Sequence, residues 1–338
     1  MRLTVLDRCT VTRGDISLDE LERFGELKIY DVIPENRLAE TIRDADAVIC
    51  NKAKITADVM AQCPHLKYVG LFATGYDNVD IREAARRGIV VCNAPGYSTD
   101  SVAQHTFSLL LNLASNTVAY NASVHSGDWM RSSVFTYLKY PITEISGKKL
   151  GIVGYGAIGR AVAELGRAFG MLPLIHTRTV PAACPYPVVS FDTLLAESDF
   201  ITLHCPLNDQ TRHLIDAAAI SKMKKTAYLI NTSRGGLIDA EALTEGIKNK
   251  QVGAACLDVY EEESELFYED NSGHILQDDV LARLISMPNV LLTSHQAFLT
   301  EEALNNIAEV TVRNISAFLK GEKLENEICF QNLLQKQN

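Results

Sequence analysis

Residues 149–159 read KLGIVGYGAIG, a stretch in which an apolar run is followed by three glycines in the spacing GxGxxG. The apolar run predicts a buried strand, and the sequence AVAELGRAFG that follows (161–170) predicts a helix. Gly154 would permit the tight turn, Gly156 would let a pyrophosphate approach the backbone, and Gly159 would let the helix pack on the strand. The free amides at the start of the helix attract phosphate. The stretch therefore predicts a dinucleotide-binding βαβ unit.

The ribose end of this predicted site lacks its usual carboxylate. An acidic residue normally follows the glycines by about 20 residues and binds the ribose hydroxyls. No Asp or Glu occurs between Glu164 and Asp192, and the expected position is occupied by Thr177, Arg178 and Thr179. A cation with hydroxyls suits a 2′-phosphate, so we predict that NADP(H) is favoured and that NAD(H) is possible. The alternative is that Arg178 points to solvent.

Short apolar runs alternate with helical stretches along most of the chain, which is typical of parallel sheets covered on both faces. Strands are predicted at 3–7, 27–31, 46–50, 67–72 and 89–93, and then at 149–156, 172–177, 199–205, 226–232, 253–259 and 289–295. The second series predicts a Rossmann dinucleotide-binding domain, and the first a smaller flavodoxin-like parallel-sheet domain. We predict one long helix over 98–122 and a last helix over 300–322. The expected division is a discontinuous substrate (catalytic) domain, 1–98 plus 297–338, and a Rossmann domain, 99–296.

Composition excludes several other classes of protein. The formal charge of −10 over 338 residues argues against a nucleic-acid partner, whose footprint would be basic. The 8 cysteines are scattered without a CxxC pair, so no metal site or redox dithiol is predicted. No apolar run approaches the ~20 residues of a membrane span. We therefore expect a cytoplasmic protein without a membrane partner.

Polar residues follow three successive predicted strands of the second series, at the sheet edge where α/β proteins bind ligands. Arg234 follows the fourth strand, Asp258 and Glu263 follow the fifth, and His295 follows the sixth. His295 can donate the proton that reduction of a 2-oxo acid requires, since imidazole titrates near neutral pH. Glu263 would hold the ring and favour its protonated form, and Arg234 would grip the substrate carboxylate. Asp258 is placed to bond a nicotinamide carboxamide. Each residue alone has an ordinary structural explanation, and their combination favours catalysis.

At these residues the sequence resembles the D-isomer-specific 2-hydroxyacid dehydrogenases, with GYGAIG, LHCPLNDQTRHLI, INTSRGGLID and LDVYEEE as the similar segments. The resemblance implies that Arg234, Glu263 and His295 form the catalytic set. It implies cofactor contacts at Gly154, Gly156, Ala157, Ile158, Gly159, His204, Cys205, Pro206, Thr211, Thr232, Ser233 and Asp258. It also implies a substrate loop in LFATGYDNVD, where backbone amides of Ala73, Thr74 and Gly75 would bind the substrate carboxylate. A homodimer with its active site in the interdomain cleft is the implied assembly.

Two branches of the family are represented. NAPGYSTDSVAQHTF and GDWMRSSVF are similar to the glycerate dehydrogenase and hydroxypyruvate or glyoxylate reductase branch. LDVYEEESELFYEDNSGHILQDDVLARL and HQAFLTEEAL are similar to the D-lactate dehydrogenase branch. Thr177 departs from the usual Asp. Tyr97, Trp129 and Phe298 are candidates for the wall around the substrate's third carbon.

The predicted function is an NAD(P)H-dependent D-2-hydroxyacid dehydrogenase that mainly reduces a small 2-oxo acid. Hydroxypyruvate or glyoxylate is the first substrate, and the alternative is a D-lactate dehydrogenase acting on pyruvate. A formate- or phosphonate-type dehydrogenase of the same superfamily is a further alternative. A dinucleotide-sensing, corepressor-like binding protein is the alternative from another class. The short polar end NLLQKQN counts against that last reading, because such proteins often carry long disordered tails.

Overall fold

The computed structural model describes residues 1–263 and 277–330. Part of the segment that is similar to the D-lactate dehydrogenase branch and the polar end NLLQKQN lie outside the described residues. The chain divides into a first unit, Met1–Ser98 with Phe298–Asn338, and a second unit, Thr99–Ala297. Among the described residues, no helix combines the length and the apolar character needed to cross a membrane.

The first unit contains a five-stranded parallel sheet in the order β2-β1-β3-β4-β5. Its strands are β1 (Arg2–Val5), β2 (Glu26–Ile29), β3 (Ala47–Cys50), β4 (Tyr68–Leu71) and β5 (Val90–Cys92), and its first helices are α1 (Glu35–Ile42), α2 (Ala57–Ala61) and α3 (Ile81–Arg87). Every residue of β3 and β4 is buried, as expected for strands covered on both faces. This strand order is that of flavodoxin-like sheets, which confirms the predicted fold class.

The second unit contains a six-stranded parallel sheet in the order β11-β10-β9-β8-β6-β7. Its strands are β6 (Lys149–Val153), β7 (Leu172–His176), β8 (Phe200–Leu203), β9 (Tyr228–Asn231), β10 (Ala254–Leu257) and β11 (Val290–Leu292). Its helices are α4 (Thr99–Ser115), α5 (Thr117–His125), α6 (Ala157–Ala168), α7 (Phe191–Glu197), α8 (Ala217–Lys222), α9 (Ala240–Lys248) and α10 (Asp279–Ser286). A parallel bridge between Ile175 and Val188 extends the sheet beyond β7. With that bridge the order is the one found in Rossmann domains, as predicted.

The prediction of a single helix over 98–122 was wrong, because the helix is interrupted at Asn116. This residue has a φ of 51°, in the left-handed region that Asn tolerates better than most residues. The Asn112 carboxamide oxygen accepts a hydrogen bond from the Val118 amide at 2.9 Å, which supports the start of α5. The Asn116 side chain donates to the Pro141 carbonyl at 2.6 Å. Two side chains therefore stabilise the break.

The last helix, α11 (Glu301–Lys320), follows the second unit along the chain and packs in the core of the first unit through Ile307, Val310 and Ile315. Helix α4 lies in one core with the Rossmann sheet, where Phe107 and Leu110 pack with buried residues of β6, β9 and β10. This packing brings the polar residues of α4 to the carboxyl ends of those strands.

Candidate active site

The turn between β6 and α6 accepts only glycine at Gly154 and Gly159. Gly154 has a φ of +96°, and a Cβ there would lie 2.7 Å from backbone atoms of His204 and Cys205. A Cβ on Gly159 would lie 2.1 Å from the Gly154 carbonyl oxygen. These two glycines therefore allow α6 to pack directly against β6 and the end of β8.

Gly156 lies at the N-cap of α6 and has open space beside it. A Cβ on Gly156 would meet nothing within 4 Å, so a ligand has room to approach the backbone here. No side chain caps α6, and its first turn contains no acidic residue. The amides of Ala157 and Ile158 thus begin a helix whose positive dipole end favours a bound anion. The turn fits the pyrophosphate of a dinucleotide.

The residues predicted to surround the ribose follow β7. The Thr177 hydroxyl donates to the Thr179 carbonyl at 3.3 Å, and both residues lie at the surface of the second unit. Arg178 is exposed and has no hydrogen-bond or ion-pair partner within residues 1–263 and 277–330. Its cation is therefore not engaged by a protein carboxylate in the described part of the chain.

The side chains of the residues that follow β8 are either largely buried, as those of His204 and Cys205 are, or hydrogen-bonded within their own loop, as that of Thr211 is. Both ring nitrogens of His204 are buried without a hydrogen-bond partner among the described residues, and burial lowers the pKa of His204 to about 3. Burial raises the pKa of the Cys205 thiol to about 11, so this thiol is not a nucleophile at neutral pH. The Thr211 hydroxyl donates to the Pro206 carbonyl at 2.7 Å and accepts from the Asn208 amide at 2.9 Å. Thr211 thus stabilises the loop in which it lies.

The loop after β9 is organised by the side chain of Asn231. Its Oδ1 accepts from the Ser233 amide at 3.0 Å, and its Nδ2 donates to the Arg234 carbonyl at 2.8 Å. The Arg234 guanidinium donates through Nη1 to the Ser233 carbonyl at 2.9 Å. A Cβ on Gly235 would lie 2.1 Å from the backbone of Tyr260, so this loop lies directly against the loop after β10. The backbone of Arg234 is held on both sides.

Thr232 and Ser233, two predicted cofactor contacts, also join neighbouring elements. The Thr232 hydroxyl lies 2.9 Å from the hydroxyl of Thr106 on α4. The Ser233 hydroxyl donates to the Cys205 carbonyl at 2.9 Å. Their side chains therefore connect the end of β9 with α4 and with the end of β8.

Glu263 and His295 are brought together by the loops after β10 and β11. His295 Nδ1 lies 2.7 Å from Glu263 Oε1, and both side chains are 22% exposed. The other oxygen of Glu263 accepts from the Tyr260 amide at 3.2 Å. His295 has a φ of 51°, which costs a non-glycine residue roughly 1–2 kcal/mol, so its neighbours must hold this conformation. The pair has the composition of a proton-transfer couple with an oriented imidazole.

Asp258 is 1% exposed and is bonded to the segment that carries His295. Its carboxylate accepts from the Thr293 hydroxyl at 2.6 Å and from the amides of Gln296 and Ala297, each at 2.9 Å. Burial raises the pKa of Asp258, but these hydrogen bonds and that of a neighbouring imidazole outweigh burial and bring the pKa below its usual value. The side chain predicted to bond the nicotinamide carboxamide is thus a major anchor of the residues 293–297.

Two residues of α4 that the sequence analysis did not single out contact the same segment. His105 Nε2 lies 3.2 Å from the Thr293 hydroxyl and 3.4 Å from an oxygen of Asp258. The Ser101 hydroxyl donates to the Ala297 carbonyl at 2.6 Å. Ser101 and His105 are four residues apart and share one helix face. This spacing of two polar residues in an apolar helix is the sequence pattern that could have identified them.

The predicted substrate loop follows β4 in the first unit. The Ala73 carbonyl accepts from the Ala94 amide at 2.8 Å, and the Thr74 hydroxyl donates to the Ala94 carbonyl at 3.0 Å. The Asn93 carboxamide donates to the Thr74 carbonyl at 2.7 Å. Within the described residues the amides of Thr74 and Gly75 donate to no acceptor. The loop therefore presents two amide donors on a fixed backbone, a set suited to a carboxylate.

The three aromatic residues predicted to line the substrate side chain occupy different surroundings. Tyr97 and Phe298 lie in the first unit with ring centroids 6.3 Å apart in an edge-on arrangement. Trp129 lies in the second unit, is 51% exposed, and donates through Nε1 to the Phe135 carbonyl at 2.6 Å. Tyr97 and Phe298 thus contact each other within the first unit.

Comparison with known proteins identifies the family. Residues 107–297 match the profile described as "D-isomer specific 2-hydroxyacid dehydrogenase, NAD binding domain". The chain belongs to this family. A glyoxylate reductase from Thermococcus litoralis is 38% identical over 314 residues, 89% of this chain and 90% of the relative. A D-lactate dehydrogenase from Escherichia coli is 36% identical over 317 residues, 91% of this chain and 94% of the relative.

A solved structure with the same architecture is an acyclic imino acid reductase in complex with NADPH and D-Arg. It has a TM-score of 0.83 and 28% identity, with 97% of this chain and 100% of that chain covered. As a member of this family, the protein is an oxidoreductase that acts on the CH–OH group of 2-hydroxy acids with a nicotinamide dinucleotide. The glycine turn at Gly156 is the part of the described structure that best fits such a cofactor.

Proposed function

We propose that this D-2-hydroxyacid dehydrogenase acts mainly as a reductase of hydroxypyruvate or glyoxylate, with pyruvate as the second substrate, and that NADP(H) is its preferred cofactor. The observation that carries the catalytic part of this proposal is the 2.7 Å contact between His295 Nδ1 and Glu263 Oε1. A histidine held in this way by a carboxylate is a suitable general acid for carbonyl reduction.

The bound nicotinamide dinucleotide supplies the hydride that reduces the carbonyl carbon of the substrate. In the proposed reaction His295 donates a proton through Nε2 to the oxygen of that carbonyl, because Nδ1 is bonded to Glu263. Glu263 keeps the ring in one orientation and stabilises the imidazolium that is present before the proton leaves. In the reverse direction the same nitrogen accepts the proton of the 2-hydroxyl group.

Arg234 is proposed to bind the substrate carboxylate with its fork of donors and to polarise the adjacent carbonyl. The bonds from Asn231 and the close packing of Gly235 support this role, since they fix the backbone from which the guanidinium extends. In the first unit, the amides of Thr74 and Gly75 are proposed as donors to a carboxylate. Tyr97, Trp129 and Phe298 remain our candidates for contact with the substrate's third carbon.

The substrate is tested by initial rates of hydroxypyruvate, glyoxylate and pyruvate reduction. The proposal expects kcat/KM for hydroxypyruvate or glyoxylate to exceed that for pyruvate. The opposite order would support the alternative of a D-lactate dehydrogenase. Tight cofactor binding without turnover of any of these acids would support the dinucleotide-sensing alternative instead.

The cofactor preference rests on Thr177, Arg178 and Thr179, and in particular on the exposed Arg178 cation. The measurement is kcat/KM for NADPH and for NADH with wild type, with Arg178→Gln and with Thr177→Asp. We expect NADPH to be favoured at least about tenfold in wild type, which is about 1.4 kcal/mol of transition-state discrimination. Both substitutions should raise the NADH to NADPH ratio. An unchanged ratio in both variants would place Arg178 outside the cofactor site.

A homodimer is proposed from the exposed apolar side chains between Val118 and Ile142. Met130, Phe135 and Leu138 are 92%, 88% and 92% exposed, and Val134 and Ile142 are also exposed. A surface of this kind marks a protein interface, and the family resemblance favours a second copy as the partner. Phe135→Lys with Leu138→Lys should convert a dimer to a monomer in analytical ultracentrifugation. Ile285→Lys, at a residue 60% exposed elsewhere in the second unit, is the matched control.

A further inference from the structure

Helix α4 carries three polar side chains that the proposed mechanism does not use. Ser101 and Thr106 are buried, with 8% and 0% exposure, and His105 is largely buried. Ser101 bonds the Ala297 carbonyl, and Thr106 lies against Thr232 at the end of β9. These two contacts therefore join α4 to the loops that carry His295 and Arg234.

A third contact of α4 is the one between His105 and Asp258. The Asp258 carboxylate accepts from the Thr293 hydroxyl and from two backbone amides, all of them neutral donors. The imidazole of His105 also lies beside this carboxylate, with Nε2 3.4 Å from Oδ1. The same nitrogen lies 3.2 Å from the Thr293 hydroxyl. His105, Thr293 and Asp258 thus form one partly buried cluster with the Asp258 carboxylate at its inner end.

This cluster surrounds a residue in a strained backbone conformation. His295 has a φ of 51°, and its amide donates to the Asp258 carbonyl at 2.7 Å. The next two amides donate to the Asp258 carboxylate. A left-handed non-glycine residue persists only when the surrounding contacts determine it, and here those contacts converge on Asp258.

We infer that His105 is a positioning residue for the proton transfer of this dehydrogenase. Its Nε2 fixes the Thr293 hydroxyl and the Asp258 carboxylate, and through them the backbone that carries His295. The inference rests on the proposed role of His295 as the proton donor. The effect of losing His105 falls on kcat, because a misplaced acid slows the chemical step while substrate binding by other groups is retained.

The experiment compares His105→Gln with His105→Asn. Gln carries its amide nitrogen at about the reach of Nε2, whereas the Asn amide ends one bond shorter, so the pair differs in reach and not in chemistry. We expect His105→Asn to lower kcat about 10- to 100-fold with KM for the 2-oxo acid and for NADPH within about twofold. His105→Gln should keep at least about a third of the wild-type kcat. Thr293→Val, which removes the middle hydroxyl at constant shape, should lower kcat in the same manner.

Three results would overturn the inference. One is wild-type kcat in both His105→Asn and Thr293→Val, whether or not the melting temperature falls, because the cluster would then affect stability at most and not the chemical step. Another is a raised KM for NADPH at unchanged kcat, which would assign the cluster to cofactor binding. The third is equal loss of kcat in the Gln and Asn variants. His295→Ala separates the two proposals, because near wild-type kcat in that variant would remove the proposed function itself, whereas its inactivity beside a fully active His105→Asn would remove only the positioning role.

Discussion

In the described part of the second unit, two histidine–glutamate pairs are made from one acidic run, and the two pairs differ in geometry. His295 bonds Glu263, and His213 bonds Glu261, two residues earlier. Both histidines have a φ of 51°. His295 uses Nδ1 at 2.7 Å, whereas His213 uses Nε2 at 2.5 Å. Nε2 therefore bonds the glutamate in the His213 pair, whereas in the His295 pair Nε2 is directed away from the glutamate.

The surroundings separate the two pairs further. Glu261 is shared with Arg212, whose Nη2 lies 2.9 Å from the same oxygen that bonds His213. The His213 amide donates to the Gly236 carbonyl at 2.8 Å, which connects this pair to the loop after β9. The pair containing Glu261 thus fastens two loops together, with a cation that offsets the glutamate charge. Residue type alone does not distinguish the two pairs, whereas the bonded ring nitrogen and the Arg212 cation beside Glu261 do.

The largest expected effect comes from removing the imidazole of each pair. His295→Gln should lower kcat about 1000-fold, since general acid–base catalysis contributes roughly 100- to 10,000-fold. His213→Gln should leave kcat within about threefold of wild type. Steady-state kinetics at saturating NADPH measure both. Equal losses in the two variants would show that the pairs do not differ in function.

Substitution of the two glutamates should also lower kcat more in the His295 pair than in the His213 pair, by a smaller factor than substitution of the histidines. Glu263→Gln keeps a hydrogen-bonding group beside Nδ1 but removes the charge that holds the ring, so kcat should fall about 100-fold. Glu261→Gln should change kcat by less than about threefold and the free energy of unfolding by less than about 1 kcal/mol. Kinetics and urea unfolding check the pair. A large loss of kcat in Glu261→Gln would contradict the assignment of Glu261 as a fastening residue.

A third histidine, His204, sharpens the comparison because both its ring nitrogens are buried without a partner among the described residues. Burial lowers its pKa from 6.5 to about 3, so between these pH values the unfolded chain binds a proton that the folded chain does not. The free energy of unfolding should therefore fall by about 1.4 kcal/mol per pH unit from this residue as pH drops below 6.5 toward 3. His204→Gln should reduce the slope of stability against pH by that amount in urea unfolding at pH 6, 5 and 4. An unchanged slope would contradict the burial of this imidazole.

The smallest expected effect concerns the left-handed backbone of the second pair. His213→Asn should change the free energy of unfolding by less than about 1 kcal/mol, because Asn tolerates this conformation and the lost ion pair is partly exposed. His213→Val should cost about 1–2 kcal/mol more than the Asn variant, since a β-branched side chain is strained there. Thermal unfolding of the two variants gives the difference directly. Equal stability would indicate that the backbone relaxes at residue 213.

The features that could be predicted from sequence are those that depend on local patterns. The strand-forming runs and the GxGxxG turn specify the two parallel sheets, because burial on both faces and close glycine packing leave a signature in consecutive residues. Arg234, Glu263 and His295 were predicted as a set because residues after parallel strands share one edge of the sheet. The structure brings Glu263 and His295 into contact. The break of the long helix was missed, since it depends on the Asn112 carboxamide and the Pro141 carbonyl as well as on Asn116.

The contacts of the site depend on residues far apart in the chain and therefore follow from the folded structure. Asp258 bonds Thr293, 35 residues away, and Thr106 meets Thr232, 126 residues away. In the sequence, His105 is only one polar residue of a helix. Packing places it beside Thr293, which lies 188 residues further along the chain. Periodicity and spacing record which face of an element is buried, and they contain no information on which buried polar groups meet. Local sequence thus determines the fold class and the candidate site residues. Long-range packing determines the ring nitrogen that each histidine uses and the contacts of His105, Thr293 and Asp258.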